Sequence, residues 1–153
     1  MKPTRGGASA FFADTNLFLY ALDARDAKKR VRAAAWLAHL WREGSGRVSW
    51  QVLHEFYTNA TRKFGVPPGL ARGMVRELAR WQPVETSLGL VESAWQWSDR
   101  AGVAYGDGLI LAAAERCGAA YLLSEDFQVG RTYGGATVVN PFASSPEEFS
   151  SAN

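Results

Sequence analysis

The stretch Ala10-Phe11-Phe12-Ala13-Asp14-Thr15-Asn16, followed by Leu17-Phe18-Leu19-Tyr20, decides the fold. Ala10 to Ala13 is a short apolar run of the kind that forms a buried strand. Asp14 ends it, and a second apolar segment begins at Leu17. An acid joined to two core-forming segments needs a reason, because Asp and Glu are almost never buried unless paired or bound to a cation.

Working outward, strand and helix patterns alternate. Apolar runs predict strands over 9–13, 47–50, 82–86, 120–124 and 136–139. Helical spacing predicts helices over 16–23, 26–43, 51–64, 69–80, 88–101 and from Asp107 to Arg116, with Asn16 as N-cap of the first. Gly44-Ser45-Gly46, Gly65 with Pro67-Pro68, Gly102 and Gly118 supply the stops. This order predicts an α/β fold: a three-layer α/β/α sandwich around a mainly parallel central sheet. The 153 residues suit one domain, expected over 1–142. The Ser-, Pro-, Glu- and Asn-rich end, 143–153, is expected to be a loosely ordered tail.

Three further acids sit on core-forming elements. Glu55 lies between Val52-Leu53 and Phe56-Tyr57, on one helix face with Val52 and Asn59. Asp107 precedes Gly108-Leu109-Ile110-Leu111-Ala112, in an opening turn that favours a carboxylate. Asp126 follows Tyr121-Leu122-Leu123-Ser124-Glu125. Sites in parallel α/β sheets form beyond the carboxyl ends of the strands. Asp14 and the Ser124–Asp126 segment fall at that edge, and all four acids are compatible with one cleft. Two like charges about 4 Å apart cost roughly 4 kcal/mol at an effective dielectric near 20, so an empty cluster is costly. One or two hard divalent cations relieve it, and oxygen-only ligands favour Mg²⁺ or Mn²⁺ over Zn²⁺. His39 and His54 lack cysteine partners at zinc spacing and are read as non-ligands.

Composition sets the outer bounds. Hydrophobic residues at 47% and charged residues at 21% exclude a disordered chain. The net charge of +2 permits a nucleic-acid partner without requiring one. Two basic stripes, Arg25-Lys28-Lys29-Arg30-Arg32 and Arg72-Arg76-Arg80, are read first as solvated helix faces, with a phosphate backbone as the alternative. The single Cys117 cannot form an internal disulfide and is expected to pack as a small buried group in a reducing, cytoplasmic setting. The apolar stretch from Ala8 to Leu22 is broken by Asp14 and Asn16, so neither a signal peptide nor a membrane association is expected. Asp23, Asp26, Glu43, Glu77, Glu85, Glu92, Asp99 and Glu115 are read as surface charges. The six tryptophans are read as core or interface groups, with Trp95 and Trp97 as interface candidates.

Together, Phe12-Ala13-Asp14-Thr15-Asn16, Glu55 in Gln51-Val-Leu-His-Glu-Phe-Tyr57, Tyr105-Gly106-Asp107-Gly108-Leu109 and Leu123-Ser124-Glu125-Asp126-Phe127 resemble the PIN-domain family, and more closely its VapC-type toxin ribonucleases. The resemblance spans about residues 10 to 140. It implies a Mg²⁺- or Mn²⁺-dependent endoribonuclease from a toxin–antitoxin pair, homodimeric and held in check by a cognate antitoxin protein. It further implies that Asp14, Glu55, Asp107 and Asp126 are both metal ligands and catalytic residues, with Asn16 and Ser124 as polar auxiliaries. Glu125 is read as an exposed loop residue, and Gly106 and Gly108 as loosening the helix start at Asp107. Two alternatives remain. One is a non-catalytic PIN-like module that binds RNA or protein. The other makes Asp14 a phosphate-accepting nucleophile, but that chemistry needs a late lysine and no lysine follows Lys63.

Overall fold

A computed structural model describes residues 9–150. A short strand, β1 (Phe11–Ala13), passes directly into helix α1 (Thr15–Ala21). Then follow α2 (Ala27–Glu43), β2 (Gly46–Arg47), α3 (Trp50–Arg62), α4 (Pro68–Leu78), α5 (Leu88–Ala101) and α6 (Tyr105–Arg116). The chain closes with β3 (Tyr121–Leu123), β4 (Thr132–Tyr133), β5 (Ala136–Val139) and a 3₁₀ turn, Pro146–Phe149. The strands form one sheet in the order β2-β1-β3-β5-β4, parallel except for the antiparallel β4–β5 edge. Helices cover it, giving the expected three-layer α/β/α sandwich.

The core explains the order. Phe11, Phe12 and Ala13 are all buried, as central strands covered on both faces must be. Phe12, Phe18, Trp36 and Phe56 are completely enclosed, each contributing about 1.5–3 kcal/mol of apolar burial or more. The register places Ala13 of β1 opposite Leu123 of β3. The residues just beyond, Asp14 and Ser124, therefore emerge side by side at the carboxyl edge of the sheet.

Several boundaries differ from the sequence expectation, each for a local reason. Asn16 is not the N-cap. Asp14 takes that place and accepts the Thr15 N–H, because strand and helix share a single junction residue. The strand expected over 47–50 stops at Arg47, since Ser49 caps α3 through the Val52 N–H and Trp50 is already helical. Only Val84 of the strand expected over 82–86 pairs, as an isolated parallel bridge to Ser49. An unexpected strand, β4, pairs with β5 through Gly134-Gly135, whose φ values of 54° and 95° suit the tight turn of a hairpin.

The segment expected to be a loose tail packs back on the core as far as Phe149. The Trp36 indole N–H donates to the Pro141 and Ser144 carbonyls, both at 2.9 Å. Phe149 lies 5.1 Å from Tyr121 and 6.0 Å from Phe11, ring centre to ring centre. Residues 151–153 of that expectation lie outside the described residues. No helix among the described residues is long and apolar enough to cross a membrane.

Candidate active site

Asp14 stands at the β1–α1 junction and is 7% exposed. One oxygen accepts the Thr15 N–H at 2.8 Å and the other accepts the Ser124 hydroxyl at 2.8 Å. Ser124, itself buried, also accepts the Asp126 N–H at 3.0 Å. One hydroxyl therefore fixes the first acid and the backbone of the last. Glu55 is held from two sides: Thr15 Oγ1 donates to it at 2.8 Å and Gln51 Nε2 at 3.2 Å. Gln51 Nε2 also reaches the Gly106 carbonyl at 3.1 Å, which ties α3 to the first turn of α6. Asp107 lies in that first turn, where the helix N-terminus favours negative charge.

These elements enclose a cavity of about 240 Å³ lined by Asp14, Thr15, Asn16, Gln51, Glu55, Asn59, Gly106, Asp107, Ile110 and Asp126. All four sequence-nominated acids are on its wall. Its α3 wall is Gln51, Glu55 and Asn59, while Val52, expected on that face, is turned into the core. Of the two glycines beside Asp107, Gly106 has open space around it, whereas Gly108 is closely packed. A β-carbon at Gly108 would fall 2.6 Å from the Ala94 carbonyl oxygen, so the glycine lets α6 pack directly on α5.

The acids strain against one another. Burial pushes the Asp14 carboxyl up to about 6, with Asp126 and Glu55 adding repulsion, while the Thr15 N–H and the Ser124 hydroxyl favour its charged form. Burial likewise raises Asp107, helped by Asp126 and Glu55. Asp126 is raised by burial and then by the charges of Glu125 and Glu55. Mutually repelling carboxylates whose donors are all oxygens suit a hard divalent cation. The side chains line the cavity without closing on a common point: among the described residues, no group of three or more His, Cys, Asp or Glu is set as a ready cage for one ion.

The auxiliary residues divide. Ser124 touches two of the acids' segments directly. Asn16 lines the cavity but donates to Glu125 at 3.2 Å rather than to one of the four acids. Glu125 is not a free loop residue: Lys29 Nζ also bonds it at 2.6 Å. Lys29 in turn lies 4.3 Å from the Tyr20 ring centre and 4.9 Å from that of Phe142. Sequence reasoning missed Thr15, Gln51 and Lys29. The spacing of Gln51 four residues before Glu55 could have flagged one of them.

Other readings sort by contact. His39 is buried beside Trp36 and Phe11, and His54 lies tilted against Trp50 with ring centres 6.2 Å apart, off the acidic cavity. Asp23, expected at the surface, is largely covered and gripped by the Arg25 guanidinium at 2.8 and 3.3 Å, which lowers its pKa. Of the interface candidates, Trp95 is exposed, but Trp97 is 8% exposed and donates to Glu115. Cys117 is only half-buried, with its thiol donating to the Ala114 carbonyl.

No curated protein matches the chain significantly. A family profile described as PIN domain matches residues 11–135, which run from β1 to the β4–β5 turn and include all four acids. With that match over most of its length, and with two strand ends and two helices bringing the four acids to one cavity, the chain belongs to the PIN domain family.

Proposed function

We propose that this chain is a Mg²⁺- or Mn²⁺-dependent endoribonuclease, acting as the toxin of a toxin–antitoxin pair. PIN domains are generally metal-dependent nucleases, which supplies the reaction class. The observation that carries the reading is the acidic cavity. Four carboxylates from four elements share one wall, and three of them have pKa values raised by burial and by other acids. Such a site has stored repulsion that a cation relieves.

Asp14, Glu55, Asp107 and Asp126 would hold the metal. When bound, a divalent cation supplies Lewis acidity and neutralises charge on a scissile phosphate. The chain's own groups supply orientation. Ser124 and the Thr15 N–H fix both oxygens of Asp14. Thr15 and Gln51 fix Glu55 so that it faces the cavity. Ser124 anchors the Asp126 backbone, and Lys29 with Asn16 draws the Glu125 charge aside. Side chains held this way need little rearrangement when substrate arrives.

The toxin role, a homodimeric assembly and an antitoxin partner follow from the resemblance to VapC-type toxins, and a cytoplasmic location from the single cysteine. The test is cleavage of total cellular RNA by the purified chain in Mg²⁺, Mn²⁺ or EDTA. Discrete fragments that appear only with metal support the reading. Intact RNA under every condition, from folded protein, leaves the non-catalytic binding module as the better account.

A further inference from the structure

Helix α3 borders two recesses of opposite character. Gln51, Glu55 and Asn59 face the acidic cavity. Trp50, His54 and Tyr57, with Arg72 and Arg76 of α4, line a second cavity of about 350 Å³. Neighbouring residues on an α-helix are about 100° apart. His54 and Glu55 therefore look into different recesses from the same turn.

The second recess combines aromatic faces with unspent positive charge. The Trp50 and His54 rings are 6.2 Å apart and inclined by 33°. Arg72 Nε donates to the Tyr57 hydroxyl at 3.0 Å, and its guanidinium carbon lies 5.9 Å from the Tyr57 ring centre. Arg72 and Arg76 are exposed, and neither is ion-paired with a carboxylate among the described residues. Both basic stripes are partly committed, Arg25 on Asp23 and Lys29 on Glu125 in one and Arg80 on Glu77 in the other, which leaves Arg72 and Arg76 without a carboxylate partner among the described residues.

We propose that this groove is a substrate subsite for single-stranded RNA. A nucleobase stacks against Trp50, His54 and Tyr57, while Arg72 and Arg76 hold the phosphates beside it. The strand then crosses α3, and a neighbouring phosphodiester lies over the acidic cavity. Rings and guanidinium groups together match an unpaired nucleotide, which offers an open base face and an anionic linker. The acidic cavity repels phosphates, so positive charge at its flank is where a substrate must gain its hold. A duplex, whose bases are already stacked internally, offers no face to the rings.

This inference rests on the nuclease reading, and one experiment separates the two. Fluorescence anisotropy would follow binding of a labelled single-stranded RNA with a random core of roughly 12 nucleotides to the full chain in EDTA. The Arg72→Ala/Arg76→Ala variant should bind at least about 10-fold more weakly, and its slope of log affinity against log salt should fall by about 1.4. His54→Ala should weaken binding without changing that slope, and Lys28→Ala/Arg32→Ala should bind like wild type. Wild-type protein that binds no RNA overturns the proposal. So does a double variant with wild-type affinity, as expected of a groove that serves a protein. Metal-dependent cleavage with an unchanged KM in the double variant removes the groove alone. Groove-dependent binding without cleavage in any metal removes the nuclease reading alone.

Discussion

Ser124 Oγ donates to Asp14 Oδ2 at 2.8 Å across 110 residues of sequence. The β1–β3 register makes this contact, because Ala13 and Leu123 are partners and each strand ends one residue before the pair. Ser124→Ala removes the donor to Asp14 and orphans the Asp126 N–H. The variant should lose about 1–3 kcal/mol of stability. Its Mn²⁺ affinity should fall about 10- to 100-fold, the usual scale for a group that orients a ligand. Urea unfolding and isothermal titration calorimetry measure the two effects.

The buried Asp14 carboxyl makes the metal-free protein sensitive to pH. Its folded pKa, about 6, is above the ordinary 3.8. Its contribution to stability is therefore fully present below about 3.8 and is lost as pH rises through about 6. The difference between these two values corresponds to about 3 kcal/mol. Asp107 and Asp126 act in the same direction. In EDTA at pH 7.5, Asp14→Asn should therefore melt at a higher temperature than wild type, with the gap closing at pH 4. Saturating Mn²⁺ should reverse the order.

Lys29 and Glu125 form a pair whose side chains are 30% and 23% exposed and whose main effect is on charge. Glu125 is among the groups that raise Asp126. Lys29→Met should raise the Asp126 pKa further by leaving that charge uncompensated, whereas Glu125→Gln should lower it. Global stability should change by less than about 1 kcal/mol in either variant. Carboxyl-detected NMR titration in EDTA reads both directions.

Gly108→Ala tests the packing beneath Asp107. The added methyl meets the Ala94 carbonyl and must push α6 away from α5. A loss of about 1–3 kcal/mol is expected in thermal unfolding. Gly106→Ala, whose β-carbon would come no closer than 3.9 Å to Gln51 Nε2, should cost less.

Much of the site was legible because burial makes charge conspicuous. Asp14 interrupts apolar residues that the sheet buries, and Asp107 opens a helix buried from Gly108 through Ala114, apart from a half-buried Leu109. The supporting contacts were less visible. Lys29 meets Glu125 across 96 residues, and Thr15 meets Glu55 across 40, so only the assembled sheet brings them together. Local propensity also misassigned ends. The strand pattern of Gln82 to Thr86 finds only one partner, the bridge from Val84 to Ser49. The polar composition of the tail hid Phe149, whose ring closes the core over Phe11 and Tyr121.

The central claim is that the acidic cavity cleaves RNA with a divalent metal. The most direct measurement is the single-turnover cleavage rate of cellular RNA in Mn²⁺ by wild type and Asp14→Asn, with folding of both verified by circular dichroism. The account predicts metal-dependent cleavage by wild type and a loss of at least about 100-fold in the variant, beyond the scale of a merely orienting group. Equal rates for the two proteins, or cleavage that persists in EDTA, would contradict it.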